Sequence, residues 1–216
     1  MILIPVKNLG TAKQRLAAFL DQDTRTELAQ TMLLDVLETL HSWNARPQVA
    51  VVTSDSYAVD LAKHFHFEVI DDPANRSETD AIERATEWCL RQGIGETLVI
   101  PADIPLIQAS ELEEILKHAP AEGSVLVPAG DGRGTNAAYR RPANLFPLRF
   151  GNDSFKPHYA AAQATGKPCV VLRLPSIAVD VDNPEDLQQL ITLPGNSRAQ
   201  QLAREYLRIG KIASAV

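Results

Sequence analysis

Short runs of consecutive apolar residues alternate along the chain with longer segments in which apolar residues recur at every third or fourth position. Short apolar runs are typical of strands that are buried on both faces of a sheet. They predict strands over 2–6, 49–53, 68–70, 97–100, 124–128 and 169–172. In the segment 24–41, the apolar residues from Leu28 to Leu40 form one stripe, which predicts an amphipathic helix. The same reasoning predicts helices over 57–64, 78–92, 109–118, 185–191 and 197–209.

Strands that alternate with helices of this length imply an α/β fold. We expect a doubly wound architecture, with a mostly parallel central sheet, helices on both faces and right-handed crossovers. Neither a repeat nor a long linker divides the chain, so a single domain over 1–216 is expected. Glycines and prolines interrupt any regular element over 131–156, and we interpret 130–160 as a substrate-binding insertion. Residues 184–216 are expected to form a C-terminal helical tail that covers the sheet or pairs two subunits in a homodimer.

The composition narrows the class of ligand. The chain has 216 residues, 45% hydrophobic content and a formal net charge of −6, with no dense run of Lys and Arg. These features exclude a general nucleic-acid surface and favour a small-molecule ligand. Cys89 and Cys169 are isolated and suggest a reducing compartment. The apolar start ends at Lys7, too early for a signal peptide or a membrane span, so a cytoplasmic protein without a membrane partner is expected.

Two apolar segments end in carboxylates. Asp103 follows the predicted strand 97–100, and Asp180 and Asp182 lie two residues apart in the strand-like segment 177–182. Residues at the ends of such strands lie at the rim of the sheet, where open α/β sheets bind ligands. Side chains two residues apart in a strand point the same way and can share a cation. The pattern therefore predicts a magnesium site formed by these three aspartates.

Helix capping is the alternative interpretation of the same carboxylates. Asp103 could cap the helix 109–118 or a turn before it, and either Asp182 or Asn183 could cap a helix that begins at Pro184. Capping does not account for Asp180, because a buried carboxylate without a positive partner is costly.

A loop rich in cations follows the first predicted strand and contains Lys7, Gly10, Lys13 and Arg15. Backbone N–H groups near a helix start, together with Lys13 and Arg15, could hold a triphosphate and a leaving pyrophosphate. The loop has neither the Walker spacing nor the G-x-G-x-x-G pattern. A solvated surface loop is the alternative.

Two further segments, 130–139 and 150–155, combine glycines with hydroxyl and amide side chains. Such segments can form a nest for a carboxylate or phosphate, to which Arg133 or Lys156 could add charge. Two polar surface turns are the alternative. The five histidines, His158 among them, form no convincing metal set, and no Ser-His-Asp order appears.

Five motifs occur in order between the first residue and about residue 187. They are Ile4-Pro-Val-Lys7 with Ala12-Lys13-Gln14-Arg15-Leu16, Pro101-Ala102-Asp103-Ile-Pro-Leu106, Gly134-Thr135-Asn136, Phe150-Gly151-Asn152-Asp153-Ser154-Phe155, and Asp180-Val181-Asp182-Asn183-Pro184. This combination resembles the guanylyltransferases of coenzyme F420 biosynthesis, which act on 2-phospho-L-lactate or phosphoenolpyruvate. The resemblance implies a Rossmann-like nucleotidyltransferase fold, GTP and Mg²⁺ as partners, and a phosphorylated three-carbon acid as acceptor.

The resemblance also assigns roles to individual positions. It implies metal ligation by Asp103, Asp180 and Asp182, catalytic roles for Lys13, Arg15 and Asp103, and substrate binding by Thr135, Gly151 and Ser154. It implies nucleotide binding by Pro5, Val6, Lys7, Lys13, Ser77 and Glu78. Many relatives have a Pro-Gly-x-Gly-Leu-Asn stretch that approaches the nucleotide, whereas residues 72–80 of this chain read Asp-Pro-Ala-Asn-Arg-Ser-Glu-Thr-Asp. Ser77 and Glu78 could pair with guanine there.

The implied reaction is attack by the acceptor's phosphate oxygen on the α-phosphorus of GTP, with release of pyrophosphate. The candidate acceptors 2-phospho-L-lactate, phosphoenolpyruvate and 3-phosphoglycerate differ by small groups, and the sequence leaves the choice open. The alternatives are a molybdenum-cofactor-type or sugar-phosphate nucleotidyltransferase, a related glycosyltransferase, and a non-catalytic nucleotide-sensing module.

Overall fold

A computed structural model describes residues 1–151 and 153–208. The strands are β1 Ile2–Pro5, β2 Val49–Thr53, β3 Glu68–Asp71, β4 Thr97–Val99, β5 Gly123–Pro128, β6 Thr135–Arg141 and β7 Cys169–Val171. The helices are α1 Gln22–Ser42, α2 Ser56–His64, α3 Glu78–Arg91, α4 Ala109–Lys117, α5 Phe155–Ala164, α6 Pro184–Thr192 and α7 Arg198–Arg208. Two short 3-10 turns, Leu9–Thr11 and Gln14–Leu16, lie between β1 and α1.

Within the described residues the strands form one sheet in the order β3-β2-β1-β4-β6-β5-β7. Every neighbouring pair is parallel except those that involve β6, which runs antiparallel to β4 and β5. The predicted α/β class with a mostly parallel sheet is confirmed. The six predicted strands are all present, and their ends differ from the prediction by at most one residue.

Helices cover both faces of the sheet because successive strand residues point to opposite sides. Ile2 and Ile4 belong to a buried cluster that contains most of the apolar stripe of α1, from Leu33 to Leu40, together with residues of α2 and α4. Leu3 belongs to a second cluster, which contains residues of α3 and α5. No helix within 1–151 and 153–208 combines the length and apolar character required to span a lipid bilayer.

The expectation that no regular element crosses 131–156 is wrong. Strand β6 lies inside the sheet between β4 and β5, and helix α5 begins at Phe155. β6 lacks an apolar run, yet its Arg140 is buried because the guanidinium donates to the Phe146 carbonyl oxygen at 2.6 Å and to Thr86 Oγ1 at 3.0 Å. These bonds give partners to the two terminal nitrogens of the guanidinium, and no local pattern predicts them.

The C-terminal tail packs on α1. Leu28 and Met32 of α1 share a buried cluster with residues of α6 and α7. Asp35, also on α1, accepts hydrogen bonds from the backbone N–H groups of Arg198 and Ala199, at the start of α7. The predicted helix 197–209 ends outside the described residues, and the homodimer stays a prediction.

Alanine substitutions at two glycines with positive φ are expected to lower the stability of the protein by different amounts. A Cβ on Gly123, whose φ is 142°, would lie 2.3 Å from the Pro168 carbonyl oxygen, whereas nothing lies within 4 Å of a Cβ on Gly93, whose φ is 74°. We expect Gly123→Ala to lower the free energy of unfolding by about 3 kcal/mol, from strain and overlap together. Gly93→Ala should lower it by about 1 kcal/mol. Urea unfolding measures both, and equal losses would contradict the role of the Pro168 contact.

Candidate active site

In the cation-rich loop after β1, the side chain of Lys13 contacts two of the predicted carboxylates. Lys13 lies between the two 3-10 turns in a left-handed conformation, with φ 54° and ψ 44°. Its ammonium group is 2.5 Å from Asp103 Oδ2 and 2.8 Å from Asp182 Oδ1, and its side chain is only 8% exposed. Arg15 is more exposed and lies 3.6 Å from Asp182. The structure therefore brings both predicted cations to the predicted carboxylates.

Asp103 is held next to the segment 180–182 by the backbone. The N–H of Val181 donates to the carbonyl oxygen of Asp103 at 3.2 Å. Asn136 of β6 fixes Asp180, since its amide donates to Asp180 Oδ1 and to the Ile177 carbonyl oxygen, each at 2.9 Å. The segment after β4, strand β6 and the segment before α6 thus contribute residues to one site.

The expectation that 177–182 is a strand is wrong, because this segment consists of turns and irregular chain. The capping alternative is also wrong for Asp182. Asn183 caps α6 by accepting from the N–H of Asp186 at 3.0 Å, and Asp186 accepts in return from the N–H of Asn183. Helix α4 has Gln108 at its N-cap position, without a side-chain cap, so Asp103 does not cap it.

The charges of this cluster are coupled. Burial alone would lower the pKa of Lys13, but Asp103 and Asp182 raise it above its ordinary value. The charge of Lys13 lowers the pKa of Asp182. Burial, followed by the negative charge of Asp103, raises the pKa of Asp180 to about 6 and that of Glu78 to about 8.

Two cavities meet at this cluster. The first, which we call the lysine cavity, has a volume of about 140 Å³ and is lined by Pro5, Val6, Lys7, Leu9, Ala12, Lys13, Ala29, Met32, Glu78, Pro101, Ala102 and Asp103. The second, the hydroxyl cavity, has a volume of about 410 Å³, and its lining includes Arg15, Glu78, Pro101, Asp103, Thr135, Gly151, Ser154, Asp180 and Asp182. Glu78, Pro101 and Asp103 line both.

A third cavity, of about 610 Å³, is larger but contains none of the predicted site residues. It lies where β1 to β3 begin, near Met1, Val49 and Glu68. In a sheet of this kind, ligands bind where parallel strands end. The position of the carboxylates and cations therefore favours the two smaller cavities as the active site.

Most of the predicted nucleotide-binding residues line the lysine cavity. Lys7 is paired at 2.7 Å with Asp72, a buried residue that sequence reasoning did not single out. Ser77 instead caps α3, where its hydroxyl accepts from the N–H of Asp80 at 3.0 Å. Its contact with a nucleotide stays a prediction.

The predicted substrate-binding residues Thr135, Gly151 and Ser154 all line the hydroxyl cavity. Ser154 Oγ accepts from the N–H of Thr135 at 3.1 Å. His158, which is 1% exposed, lies behind them with Nδ1 2.9 Å from Thr135 Oγ1. Burial, followed by the charge of Arg140, lowers the pKa of His158 to about 4. Sequence reasoning tested His158 only as a metal ligand, and no local signal indicated its place because α5 was not predicted.

The three aspartates enter one cavity, but they are not arranged as a complete metal cage. Within 1–151 and 153–208, no group of three or more His, Cys, Asp or Glu side chains could hold a metal ion as it stands. Asp103 and Asp182 are both paired with Lys13, at 2.5 and 2.8 Å. Mg²⁺ commonly takes only one or two protein carboxylates and completes its shell with substrate phosphates and water. Asp103, Asp180 and Asp182 line the hydroxyl cavity and offer carboxylates of the type that Mg²⁺ takes, and the metal site stays a prediction.

Comparison with known proteins decides the family. A family model described as guanylyl transferase CofC like matches residues 1–215. The chain belongs to this family. It is 35% identical to the phosphoenolpyruvate guanylyltransferase of Roseiflexus castenholzii, over 95% of this chain and 94% of that protein. The resemblance seen in the sequence motifs is thereby confirmed.

Other members of the family are named for different acids. The chain is 33% identical to the 3-phospho-D-glycerate guanylyltransferase of Colwellia psychrerythraea, over 89% of this chain and 91% of that protein. It is 32% identical to the 2-phospho-L-lactate guanylyltransferase of Methanothermobacter thermautotrophicus, over 95% of this chain and 88% of that protein.

Solved structures confirm the nucleotidyltransferase fold. A candidate nucleotide-diphospho-sugar transferase from Desulfovibrio desulfuricans G20 superposes with a TM-score of 0.78 at 20% identity, over 97% of this chain and 96% of that one. A 4-diphosphocytidyl-2C-methyl-D-erythritol synthase superposes with a TM-score of 0.59 at 15% identity, over 88% of this chain and 95% of that one. At these identities the likeness concerns the fold alone.

Proposed function

We propose that this protein transfers GMP from GTP to a phosphorylated three-carbon acid and releases pyrophosphate. The observation that supports the proposal is that two cavities share Asp103, the carboxylate that is paired with Lys13. Two substrates that react with each other need adjoining sites, and the charged cluster lies at the junction. The family and its members named as guanylyltransferases support GTP as the nucleotide.

The lysine cavity would hold the nucleotide, because it is lined by the loop after β1 and by the cations Lys7 and Lys13. The hydroxyl cavity would hold the acid. Thr135 and Ser154 offer hydroxyl groups there, and Arg15 adds a positive charge. Hydroxyl and cationic donors of this kind suit the carboxylate and phosphate oxygens that all three candidate acids share.

The nucleophile needs no protein base. A phosphate monoester has its second pKa near 6, so its oxygen is already ionised at about pH 7. That oxygen forms a bond to the α-phosphorus of GTP while the bond from the α-phosphorus to the bridging oxygen breaks, and pyrophosphate leaves. The protein aligns the two reactants and neutralises charge. Lys13 and Arg15, which lie next to different oxygens of the Asp182 carboxylate, are the residues we propose for charge neutralisation.

We also propose Mg²⁺ as the cofactor, held by Asp103 and Asp180 with Asp182 beside them. When bound, Mg²⁺ supplies Lewis-acid neutralisation of the phosphate charge. Support comes from Asp180, whose pKa of about 6 reflects burial beside other carboxylates. Among the described residues, its carboxylate accepts a hydrogen bond from the neutral amide of Asn136. A divalent cation would stabilise its charged form.

The acid itself is left as one of three, since the related proteins named above act on different ones. With any of them the product would be a guanosine joined through a diphosphate to the acid. We propose that this product serves coenzyme F420 biosynthesis, as the resemblance of the motifs implies.

A pyrophosphate-release assay tests the proposed function. The protein is incubated with GTP and MgCl₂ and with 2-phospho-L-lactate, phosphoenolpyruvate or 3-phosphoglycerate in turn, and the product is identified by mass. We expect one pyrophosphate for each GMP-linked acid formed, with at least one of the three acids. Matched reactions contain CTP with sugar phosphates. Turnover only in those reactions, or GTP binding without pyrophosphate from any mixture, would contradict the proposal.

A further inference from the structure

His158 makes two hydrogen bonds of opposite kind. Its Nε2 accepts from the backbone N–H of Arg149 at 2.7 Å, and its Nδ1 lies 2.9 Å from Thr135 Oγ1. The ring is buried and packs edge-on against Phe150, with the ring centroids 5.0 Å apart. The imidazole is therefore held on three sides, and its orientation is fixed.

These contacts determine which ring nitrogen carries the proton. A backbone N–H can only donate, so Nε2 must be the unprotonated nitrogen. A neutral imidazole has one N–H group, which must then be on Nδ1. Consequently Nδ1–H donates to Thr135 Oγ1. Burial of the ring, followed by the nearby charge of Arg140, keeps it neutral, since both lower its pKa, to about 4.

A hydroxyl oxygen that accepts from His158 keeps its own proton for another acceptor. Among the described residues, no hydrogen bond from the Thr135 hydroxyl to a protein acceptor is present, and Thr135 lines the hydroxyl cavity. Ser154 is arranged in the same way, because its Oγ accepts from the N–H of Thr135. Both hydroxyl protons are thus available to a ligand in the cavity.

We infer that His158 is a positioning residue that directs the Thr135 hydroxyl proton toward a phosphate or carboxylate oxygen of the acid. The inference rests on the proposed function for the identity of the ligand. Its consequence is selectivity for anions: a cavity whose hydroxyl groups are committed as donors binds anionic oxygens and discriminates against ligands that offer only donors. Nothing in the role requires His158 to touch the substrate.

Two substitutions separate this role from a structural one. Asn places its amide near the position of Nδ1, so His158→Asn can still donate to Thr135 but loses the acceptor for Arg149. Gln places its amide near Nε2, so His158→Gln can still accept from Arg149 but loses the donor. We expect His158→Gln to raise the KM for the acid about tenfold or more, because a hydrogen bond that orients a donor to a charged group is lost. His158→Asn should recover most of that affinity, and the KM for GTP should stay within about twofold in both.

A purely structural role for His158 predicts different results. If His158 only held the chain at Arg149, Asn would be the more damaging substitution, and an equal effect of both would also contradict the role. Thr135→Val removes the hydroxyl that His158 is inferred to orient. Combined with His158→Gln, it should give a KM no higher than Thr135→Val alone, and this comparison stands even if the Asn variant does not fold.

A measurement without turnover distinguishes failure of this inference from failure of the proposed function. In the unsubstituted protein, ¹⁵N NMR of the histidine rings should show His158 protonated on Nδ1 and not on Nε2 at neutral pH. The opposite tautomer would overturn the inference even if the enzyme is active. The Nδ1 tautomer together with no turnover of any of the three acids would leave the donor arrangement standing and refute the acid as its ligand.

Discussion

Replacement of Asp103 by Asn should lower kcat for pyrophosphate release by about 10³-fold, the scale of losing one charge-stabilising group in an active site. Asp103 lines both cavities and contacts Lys13 at 2.5 Å. Asn has nearly the same shape but carries no charge, so it neither attracts a cation nor holds Lys13 as strongly. Initial rates at saturating GTP, acid and MgCl₂ measure the effect.

The fold should survive this substitution. Lys13 keeps its 2.8 Å contact with Asp182, and the Asp103 side chain is 25% exposed, so we expect a loss of about 1 kcal/mol, or a few degrees in Tm. The matched control is Asp60→Asn, which removes the charge of an exposed aspartate on α2 that lines neither cavity. Asp103→Asn with a rate near that of this control would refute the site assignment.

Replacement of Lys13 by Met should lower both activity and stability. We expect kcat to fall about 10²-fold or more, because the ammonium group beside Asp103 no longer neutralises phosphate charge. The free energy of unfolding should fall by about 2 kcal/mol, because Asp103 and Asp182 then lose their buried partner next to Asp180 and Glu78. Stopped assays and urea unfolding measure the two effects.

A double substitution tests whether charge is the cause of the lost stability. Lys13→Met with Asp103→Asn removes one of the uncompensated carboxylates, so it should be more stable than Lys13→Met alone. MgCl₂ should also raise the Tm of Lys13→Met by more than that of the unsubstituted protein, since a bound cation replaces the missing charge. Additive losses and equal Tm shifts would indicate that Lys13 contributes packing and not charge.

The elements that sequence patterns predicted well are those whose environment follows from the residues themselves. The apolar run Val49–Thr53 is buried on both faces, and the stripe on Gln22–Ser42 packs on the sheet. β6 was missed because its burial depends on partners outside the strand, such as Thr86, which lies 54 residues before Arg140 in the chain. A local pattern carries no information about such partners.

The same division applies to the site. Motif positions predicted Lys13, Asp103 and Asp182, which the structure brings into contact. The strand assumed to align Asp180 and Asp182 does not exist. The position of these two aspartates next to Asp103 depends instead on the hydrogen bond from Val181 to the Asp103 carbonyl oxygen. The amide of Asn136 holds the side chain of Asp180. The residue types were visible in the sequence, but the interactions that hold them were not.

By itself, the sequence determined the α/β class, most helices and strands, the family and the candidate site residues, because apolar periodicity and motif order are local properties. Only the tertiary structure decided that Lys13 lies between two aspartates and that His158 supports Thr135. It also decided that β6 closes the sheet between β4 and β5. Each of these depends on atoms brought together from distant parts of the chain, where hydrogen bonding and charge act through space and not along the sequence.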